Sequence, residues 1–299
     1  MSKICYLLYI FHTIIPIFEF NYINRKFPRE YIPSTFHMIY LIYRYLNKTY
    51  FKKVNTLKIT ILGQWGAYPE KNSATAGYLI QSDNTNILLD CGCGVLSKLQ
   101  NHINIEDLHG VVISHYHADH FCDVQSLQYA SKILKVFNKL THPLKIYGLK
   151  VNPYFEKLNY ADSCVGYEIT SKSQISIGDF SLCFCNTNHT MPCLSIKVCH
   201  GNKSVIFSGD TAFTNDLIYL SKNADLLMCE SSLFNEDKGR VPGHLTAGET
   251  GLIAKKAEVK KLLLTHLPHY GNITTLLDQA KQEFSGEVIL AEGGMIIEL

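Results

Sequence analysis

From residue 57 onward the chain is predicted to adopt a layered α/β fold, and two observations lead to this prediction. Short apolar runs of strand length alternate with longer helical patterns. Several of these runs also end on a polar residue, and ligands of layered α/β folds gather at the ends of strands. We therefore expect a sheet-based fold whose functional side chains share one edge.

The predicted strands are defined by apolar runs, and each is followed by a turn or a polar side chain. In chain order, residues 57–62 lead into Gly63, 86–89 into Asp90, 204–207 into Ser208, Gly209 and Asp210, 225–229 into Glu230, and 261–265 into His266.

Composition divides the 299 residues into two parts. Residues 1–56 contain no Gly and no Ala, whereas all 19 Gly lie from Gly63 onward. Of the 28 Lys/Arg and 26 Asp/Glu, residues 1–56 hold 8 and 2, so residues 57–299 hold 20 and 24, a net charge of −4. We expect a basic extension over 1–56 and a mildly acidic domain over 57–299.

The extension has an uncharged apolar stretch from Ile4 to Phe18, interrupted by Pro16. Its length is below the roughly 20 residues that a helix needs to span a bilayer. The lack of Ala and Gly also disfavours a cleaved signal. Three interpretations remain: an interfacial anchor that contacts membranes weakly, an uncleaved signal anchor, or a segment outside the functional protein. The third is favoured, because domain-like sequence starts near Leu57 and Met38 offers a later start.

Ten cysteines do not indicate a disulfide framework in a chain of this size. Two C-x-C pairs occur, Cys91/Cys93 and Cys183/Cys185, and within a strand this spacing points both thiols to one face. Small buried side chains or free thiols are favoured over a metal site. A reducing compartment, and hence a cytoplasmic location, fits best.

The most informative segment is residues 111–120, Val-Val-Ile-Ser-His-Tyr-His-Ala-Asp-His. A buried strand is predicted to end just before His115, with His117, Asp119 and His120 on the following loop and first helical turn. Nitrogen and carboxylate ligands without cysteine indicate an open, reactive metal site rather than a closed structural one.

Three further residues are candidates to complete the site. His189 and His266 supply the third imidazole that each ion would still need, and Asp210 is placed to bridge the two ions. Taken singly, Asp210 fits a helix N-cap, and each His fits a surface or core residue. Together they predict one ion at His115, His117 and His189, and another at Asp119, His120 and His266. Two cations about 3.5 to 4 Å apart hold a bridging water as hydroxide, which predicts hydrolysis.

Glu230 and His244 form a second candidate pair. In the functional interpretation, Glu230 orients His244 so that its imidazole protonates the leaving oxygen. In the structural interpretation, Glu230 is a solvated charge at a strand end and His244 caps the helix that begins nearby. Spacing alone does not separate the two interpretations. Asp119 is expected to act in catalysis as well as in metal binding.

These motifs resemble the metallo-β-lactamase superfamily, whose His-x-His-x-Asp-His signature is intact from His115 to His120. The resemblance covers about residues 57–299 and implies an αββα four-layer sandwich with a dinuclear metal site at the sheet edge. The ribonuclease Z-like hydrolases and phosphodiesterases are the nearer likeness. The motifs that carry this likeness are Gly63-Gln64-Trp65-Gly66-Ala67-Tyr68-Pro69 with Ser73, Asp90-Cys91-Gly92, Ser208-Gly209-Asp210-Thr211, and Glu230 with His244-Leu245-Thr246.

The resemblance favours the functional interpretation of Glu230 and His244, and it implies two divalent ions, expected to be Zn²⁺, with Mn²⁺ or Fe²⁺ as alternatives. In the mechanism that we infer from it, Asp90 orients a ligand imidazole. Related enzymes often pair as homodimers. The predicted function is hydrolysis of a phosphodiester, with a small phosphodiester or nucleotide as substrate.

Departures from the tRNA-processing members bear on the substrate. Those enzymes follow Asp-Cys-Gly with Glu-Gly-Thr-Gln, whereas Cys93-Gly94-Val95-Leu96 stands here. No long basic insertion separates His120 from His189, and the net charge of the domain disfavours binding to a large structured RNA. The alternatives are a lactonase or thioesterase of the same superfamily, a tRNA 3′-processing endoribonuclease, and a non-enzymatic domain that keeps the metals.

Overall fold

The computed structural model describes residues 56–299. The predicted extension, its suggested membrane contact and the candidate start at Met38 therefore lie outside the described residues, apart from Thr56. Within residues 56–299, none of the helices combines the length and apolar character needed to cross a bilayer.

The first sheet contains seven strands, of which six lie between Lys58 and Glu168 and the seventh is the last strand of the chain. From one edge to the other these are β14 (Ile296–Glu298), β1 (Lys58–Gly63), β2 (Gly77–Gln81), β3 (Asn86–Leu89), β4 (Gly110–Val112), β5 (Leu144–Gly148) and β6 (Cys164–Glu168). Pairing is antiparallel from β14 to β3 and parallel from β3 to β6. The last strand of the chain therefore lies beside the first.

The second sheet, also of seven strands, has the same division. Antiparallel pairing joins β7 (Gln174–Ile177), β8 (Phe180–Asn186), β9 (Leu194–His200) and β10 (Lys203–Phe207). Parallel pairing then joins β10 to β11 (Leu226–Glu230), β12 (Lys261–Thr265) and β13 (Glu287–Leu290).

Along each strand, alternate side chains point to opposite faces of the sheet, so one set packs against the other sheet and the next set packs against helices. On β11, Leu226 and Met228 face the other sheet, whereas Leu227 and Cys229 face the helices. The helices on that outer face are α4 (Asn215–Leu220), α5 (Ala247–Ala257) and α6 (Thr274–Glu283). The outer face of the first sheet packs against α1 (Val95–Leu99) and α3 (Val124–Val136).

The short helix α2 (Ala118–Phe121) lies between β4 and α3, and 3₁₀ turns occur at Ile105–Asp107, Glu156–Leu158 and Asn235–Asp237. The resulting order of layers is helix, sheet, sheet, helix. The predicted α/β class and αββα sandwich are confirmed.

Candidate metal centre

The His-rich segment leaves the first sheet where β4 ends. His117 has extended backbone at the N-terminus of α2, and this one-turn helix carries Asp119 and His120, both of which are buried. His115 is fully buried. Because only five residues separate β4 from α2, all four side chains lie close together where the two sheets meet.

One group of ligand atoms is formed by His115, His117, His189 and Asp210, all within 4.8 Å of one another. His117 Nδ1 lies 3.0 Å from both His115 Nε2 and His189 Nε2. Asp210 Oδ2 is 3.6 Å from His115 Nε2 and 3.7 Å from His189 Nε2. His189 follows β8 and Asp210 follows β10, so the second sheet contributes these two residues.

A second group is formed by Asp119, His120 and His266. Asp119 Oδ2 lies 3.1 Å from His266 Nε2 and 3.6 Å from His120 Nε2. The other oxygen of Asp210, Oδ1, is 3.3 Å from His120 Nε2 and 3.4 Å from His266 Nε2. Asp210 thus presents one carboxylate oxygen to each group, which is the geometry of a bridging ligand.

These distances fit a pair of metal ions. Ligands bound to a tetrahedral ion at 2.0–2.1 Å lie about 3.3 Å apart, close to the observed separations of 3.0 to 3.7 Å. His120 Nε2 and Asp210 Oδ1 are also buried without a hydrogen-bond partner. Two buried polar atoms that face each other in this way are costly unless a third group satisfies both. A cation between them would do so.

Charge in the site also favours cation binding. Burial raises the pKa of Asp210, but the surrounding imidazoles of His120, His266 and His115 outweigh it and hold the pKa well below the usual value. Burial and neighbouring imidazoles lower the pKa of His115 and of His117. Burial lowers the pKa of His120 and of His266, but the nearby carboxylates outweigh it and raise both pKa values. Asp210, His115 and His117 are thus in the states that bind metal, and a cation that binds His120 and His266 would release their protons.

Asp90 positions His120 of the second group by contacting the ring nitrogen that faces away from the site. It lies directly after β3 with a left-handed backbone (φ 56°) and is fully buried. Its Oδ2 is 2.7 Å from His120 Nδ1, and it also accepts hydrogen bonds from the Ser114 hydroxyl and backbone N–H, each at 2.7 Å. With Nδ1 on a carboxylate, His120 directs Nε2 at the metal site.

The other imidazoles are oriented in a similar way. His189 Nδ1 donates to the carbonyl oxygen of Gly243 at 2.9 Å. His266 Nδ1 lies 2.8 Å from the Ser232 hydroxyl, which donates to Glu230 Oε2 at 2.7 Å. Each bond leaves Nε2 of the ring directed at the site.

Glu230 and His244 lie together at the rim of the second group. His244 Nδ1 is 3.2 Å from both oxygens of Glu230. The backbone N–H groups of Thr211 and Leu245 donate to the same carboxylate at 2.6 and 3.1 Å. Burial lowers the pKa of His244, but Glu230 outweighs it and raises the pKa to about 9. A ring nitrogen of His244 lies within 4.8 Å of Asp210 and His266.

The structural alternatives considered for His244, Asp210 and Glu230 do not describe these three residues. Thr246, not His244, caps α5 through a capping box with Glu249. Thr214, not Asp210, caps α4. Glu230 is buried, at 1% exposure, instead of solvated.

The C-x-C pairs differ from each other. Cys183 and Cys185 lie on one face of β8, both half-buried. Cys91 and Cys93 lie on the loop after β3, not in a strand, so the expected alternation does not apply to them. Cys91 is buried, whereas the half-buried Cys93 lies within 4.8 Å of Cys122 and Asp123.

Three features of the site were not found from the sequence. They are the serines Ser114 and Ser232, the carbonyl of Gly243, and the backbone N–H of Ala67, which donates to Asp119 Oδ2 at 2.7 Å. Serine at such positions carries no pattern, and backbone groups are common to every residue. The only available signal was proximity in the sequence, because Ser114 precedes His115, Ser232 follows Glu230 by two residues and Gly243 precedes His244.

An αββα sandwich with His and Asp clusters where the two sheets meet defines a class of metal-dependent hydrolases. Residues 85–267 match the Beta-lactamase superfamily domain. The chain therefore belongs to the metallo-β-lactamase superfamily and is a metallo-hydrolase.

Among its relatives, "Probable metallo-hydrolase YhfI" of Bacillus subtilis is 38% identical over 243 residues, covering 81% of this chain and 100% of YhfI. The crystal structure of YhfI aligns with a TM-score of 0.80 and 37% identity, over 82% of this chain and 100% of that one. Ribonuclease Z of Thermobifida fusca is 26% identical over 306 residues, covering 81% of this chain and 94% of that enzyme. Human tRNase Z, short form, shares the fold, with a TM-score of 0.63 and 23% identity over 80% of this chain and 98% of that one.

Proposed function

We propose that the protein is a phosphodiesterase that hydrolyses small phosphodiesters or nucleotides. The observation that carries the proposal is the buried Glu230 bound to His244 beside the metal ligands. The leaving group of an alkyl phosphodiester departs as an alkoxide, which needs a proton, whereas a thioester releases a thiolate that leaves without one. A lactone also releases an alkoxide, so this pair does not by itself separate phosphodiesters from lactones. The sequence similarity to ribonuclease Z supports phosphodiester hydrolysis.

His244 is placed to act as general acid. Its Nδ1 is held by Glu230, which leaves Nε2 to face substrate. Glu230 is itself fixed by two backbone donors and by Ser232, so the imidazole has little freedom to rotate away. Glu230 raises the pKa of the ring and so favours its protonated state, in which it donates a proton.

The ligand residues fit two divalent cations, proposed to be Zn²⁺. When bound, such ions polarise phosphoryl oxygens and activate water as a nucleophile. Asp119 and Asp210 would supply the negative charge that holds such ions, and Asp90 fixes the direction of His120.

The size of the substrate is inferred from the segment between the two halves of the site. Between α2 and His189 the chain forms α3, one 3₁₀ turn and strands β5 to β8. The longest connections there, 137–143 and 149–155, have seven residues each. With a net charge of −4 over 57–299, the described domain offers little to neutralise the phosphates of a large RNA. A small substrate is therefore proposed.

The first test is metal-dependent turnover on a panel of bis-p-nitrophenyl phosphate, 2′,3′-cyclic AMP, a precursor tRNA, a lactone and a thioester. We expect the two small diesters to be hydrolysed, and His115→Ala to abolish the reaction by removing a ligand. Preferred hydrolysis of the lactone or thioester would overturn the proposal, and efficient tRNA cleavage would overturn the substrate size.

A second test isolates His244. Hydrolysis of 2′,3′-cyclic AMP releases an alkoxide, whereas bis-p-nitrophenyl phosphate releases p-nitrophenolate, which leaves without a proton. Because a general acid contributes about 10²-fold or more, His244→Ala should lower kcat about 100-fold on the cyclic nucleotide and much less on the aryl ester. The exposed His142→Ala serves as control. An equal loss on both substrates would exclude the proposed role.

A further inference from the structure

An aromatic column runs from the core to the rim of the metal site. Trp65, 7% exposed, belongs to the cluster between the second sheet and its helices. Its ring stacks on His269 at 4.8 Å between centroids, and His269 stacks on Tyr68 at 3.7 Å and 10°. Tyr68 ends the column and is 58% exposed. His269 covers one face of its ring, and among the described residues no second ring stacks against the other face.

The loop that carries Tyr68 is held rigidly. His269 Nε2 donates to the carbonyl oxygens of Tyr68 and Gly66, at 2.7 and 3.1 Å. Ala67 adopts a left-handed backbone (φ 62°) that is unfavourable for a residue with a side chain. Strain of this kind persists only where surrounding contacts impose it, and it is common at functional sites.

The same loop is joined to the metal ligands. The Ala67 N–H donates to Asp119 Oδ2 at 2.7 Å. A Cβ added at Gly66 would lie 2.7 Å from the ring of His266. Tyr68 is therefore one residue away from a backbone group that contacts a candidate ligand, so its exposed ring belongs to a loop that borders the site.

We propose that the face of the Tyr68 ring opposite His269 is the platform on which the base of a nucleotide substrate stacks. This inference rests on the phosphodiesterase function proposed above and extends it to nucleotides as the substrate class. Aromatic rings bind bases through the π-face that every base has, so stacking tolerates different bases. A ring fixed in advance by His269 and Trp65 loses little conformational entropy on binding.

The test compares substrates with and without a base in the full chain: 2′,3′-cyclic AMP and glycerol 1,2-cyclic phosphate. Tyr68→Leu should lower kcat/KM on the nucleotide about tenfold or more and leave the glycerol ester nearly unchanged, while Tyr68→Phe keeps activity on both. Tyr129→Leu is the matched control, because Tyr129 on α3 is 57% exposed. Binding of adenosine 3′-monophosphate, measured by calorimetry, should weaken by a similar factor in Tyr68→Leu alone.

The outcomes separate the two proposals. Equal loss on both substrates in Tyr68→Leu would show that the ring only supports the loop, and would overturn the inference. Unchanged nucleotide turnover and binding in that variant would overturn it as well. If the wild-type protein hydrolyses neither ester, the phosphodiesterase function itself fails.

Discussion

Asp90 shows how one side chain organises the centre without being a proposed ligand. Its carboxylate accepts the Ser114 N–H and hydroxyl and contacts His120 Nδ1. Ser114 directly precedes the ligand His115, and its hydroxyl lies 3.1 Å from His115 Nδ1. A single buried carboxylate is thus connected to one imidazole in each of the two ligand groups.

Replacing Asp90 with Asn tests this positioning role. The amide keeps the shape but removes the charge that orients His120, and loss of such a partner typically lowers metal affinity 10- to 100-fold, so we expect a loss of about that size. Competition with a coloured chelator measures the affinity directly. Asp278→Asn, an exposed position on α6, should bind metal like the wild type. Unaltered affinity in a folded Asp90→Asn protein would contradict the prediction.

At the scale of single residues, the sequence allowed us to predict which side chains belong to the site when their chemistry is distinctive. His115 to His120 form a motif, and Asp210 and His266 follow predicted strands. Their meeting at one site could therefore be predicted from the sequence. The roles of Ser232 and of the Ala67 N–H could not be predicted, because they depend on where the loops place these groups. The ligand roles themselves remain predictions.

Among the elements, the loop before α5 is the one on which the site depends most. It carries His244, and the Gly243 carbonyl accepts the hydrogen bond that orients His189. Gly243 has a left-handed backbone, φ 85°, and a Cβ there would lie 2.8 Å from His189 Nδ1. The loop therefore combines two functions: it presents one imidazole and restrains another.

Two glycines of similar conformation allow a matched experiment. Gly239, φ 79°, has nothing within 4 Å of an added Cβ. Both Gly→Ala changes carry backbone strain of about 1 kcal/mol or more, so thermal unfolding should show a loss of stability in both, and a larger one at Gly243, where the added Cβ also meets His189. Only Gly243→Ala should push His189 aside and cause a large loss of metal-dependent turnover. Similar activity of the two variants would show that the contact with His189 is unimportant.

Strands followed the sequence closely where the apolar run was long and buried. Residues 261–265 match β12, and residues 57–62 match β1 to within one residue at each end. The predicted strand 86–89 matches β3, so the sequence already placed Cys91 and Cys93 beyond the strand. Pairing of β14 with β1 could not be predicted, because no local pattern encodes which distant strands become neighbours.

Across the whole molecule, the site lies where the two sheets meet. His115, His117, Asp119 and His120 follow β4 of the first sheet, whereas His189, Asp210 and His266 follow strands of the second. Any ion bound by these residues would link the sheets. Metal binding should therefore stabilise the folded domain as a whole.

Thermal unfolding of chelator-treated protein measures this linkage. Ligand at 1,000 times its Kd stabilises a protein by about 4 kcal/mol, and at about 2–4 °C per kcal/mol for a domain of this size the Tm should rise by roughly 10 °C on adding Zn²⁺. His115→Ala should show a clearly smaller rise. An unchanged Tm in the wild-type protein would show that the residues do not hold a metal ion.

The candidate ligands are far apart in the sequence, and this separation has a consequence for biosynthesis. Asp119 and His266 are in contact across 147 positions of sequence, and β1 gains one of its neighbours only when residues 296–298 have been made. When His115 to His120 have just been made, the other candidate ligands, His189, Asp210 and His266, do not yet exist. The set of candidate ligands is complete only when His266 has been made, so we expect a metal ion to bind a nearly finished domain and not to direct the folding of a nascent one.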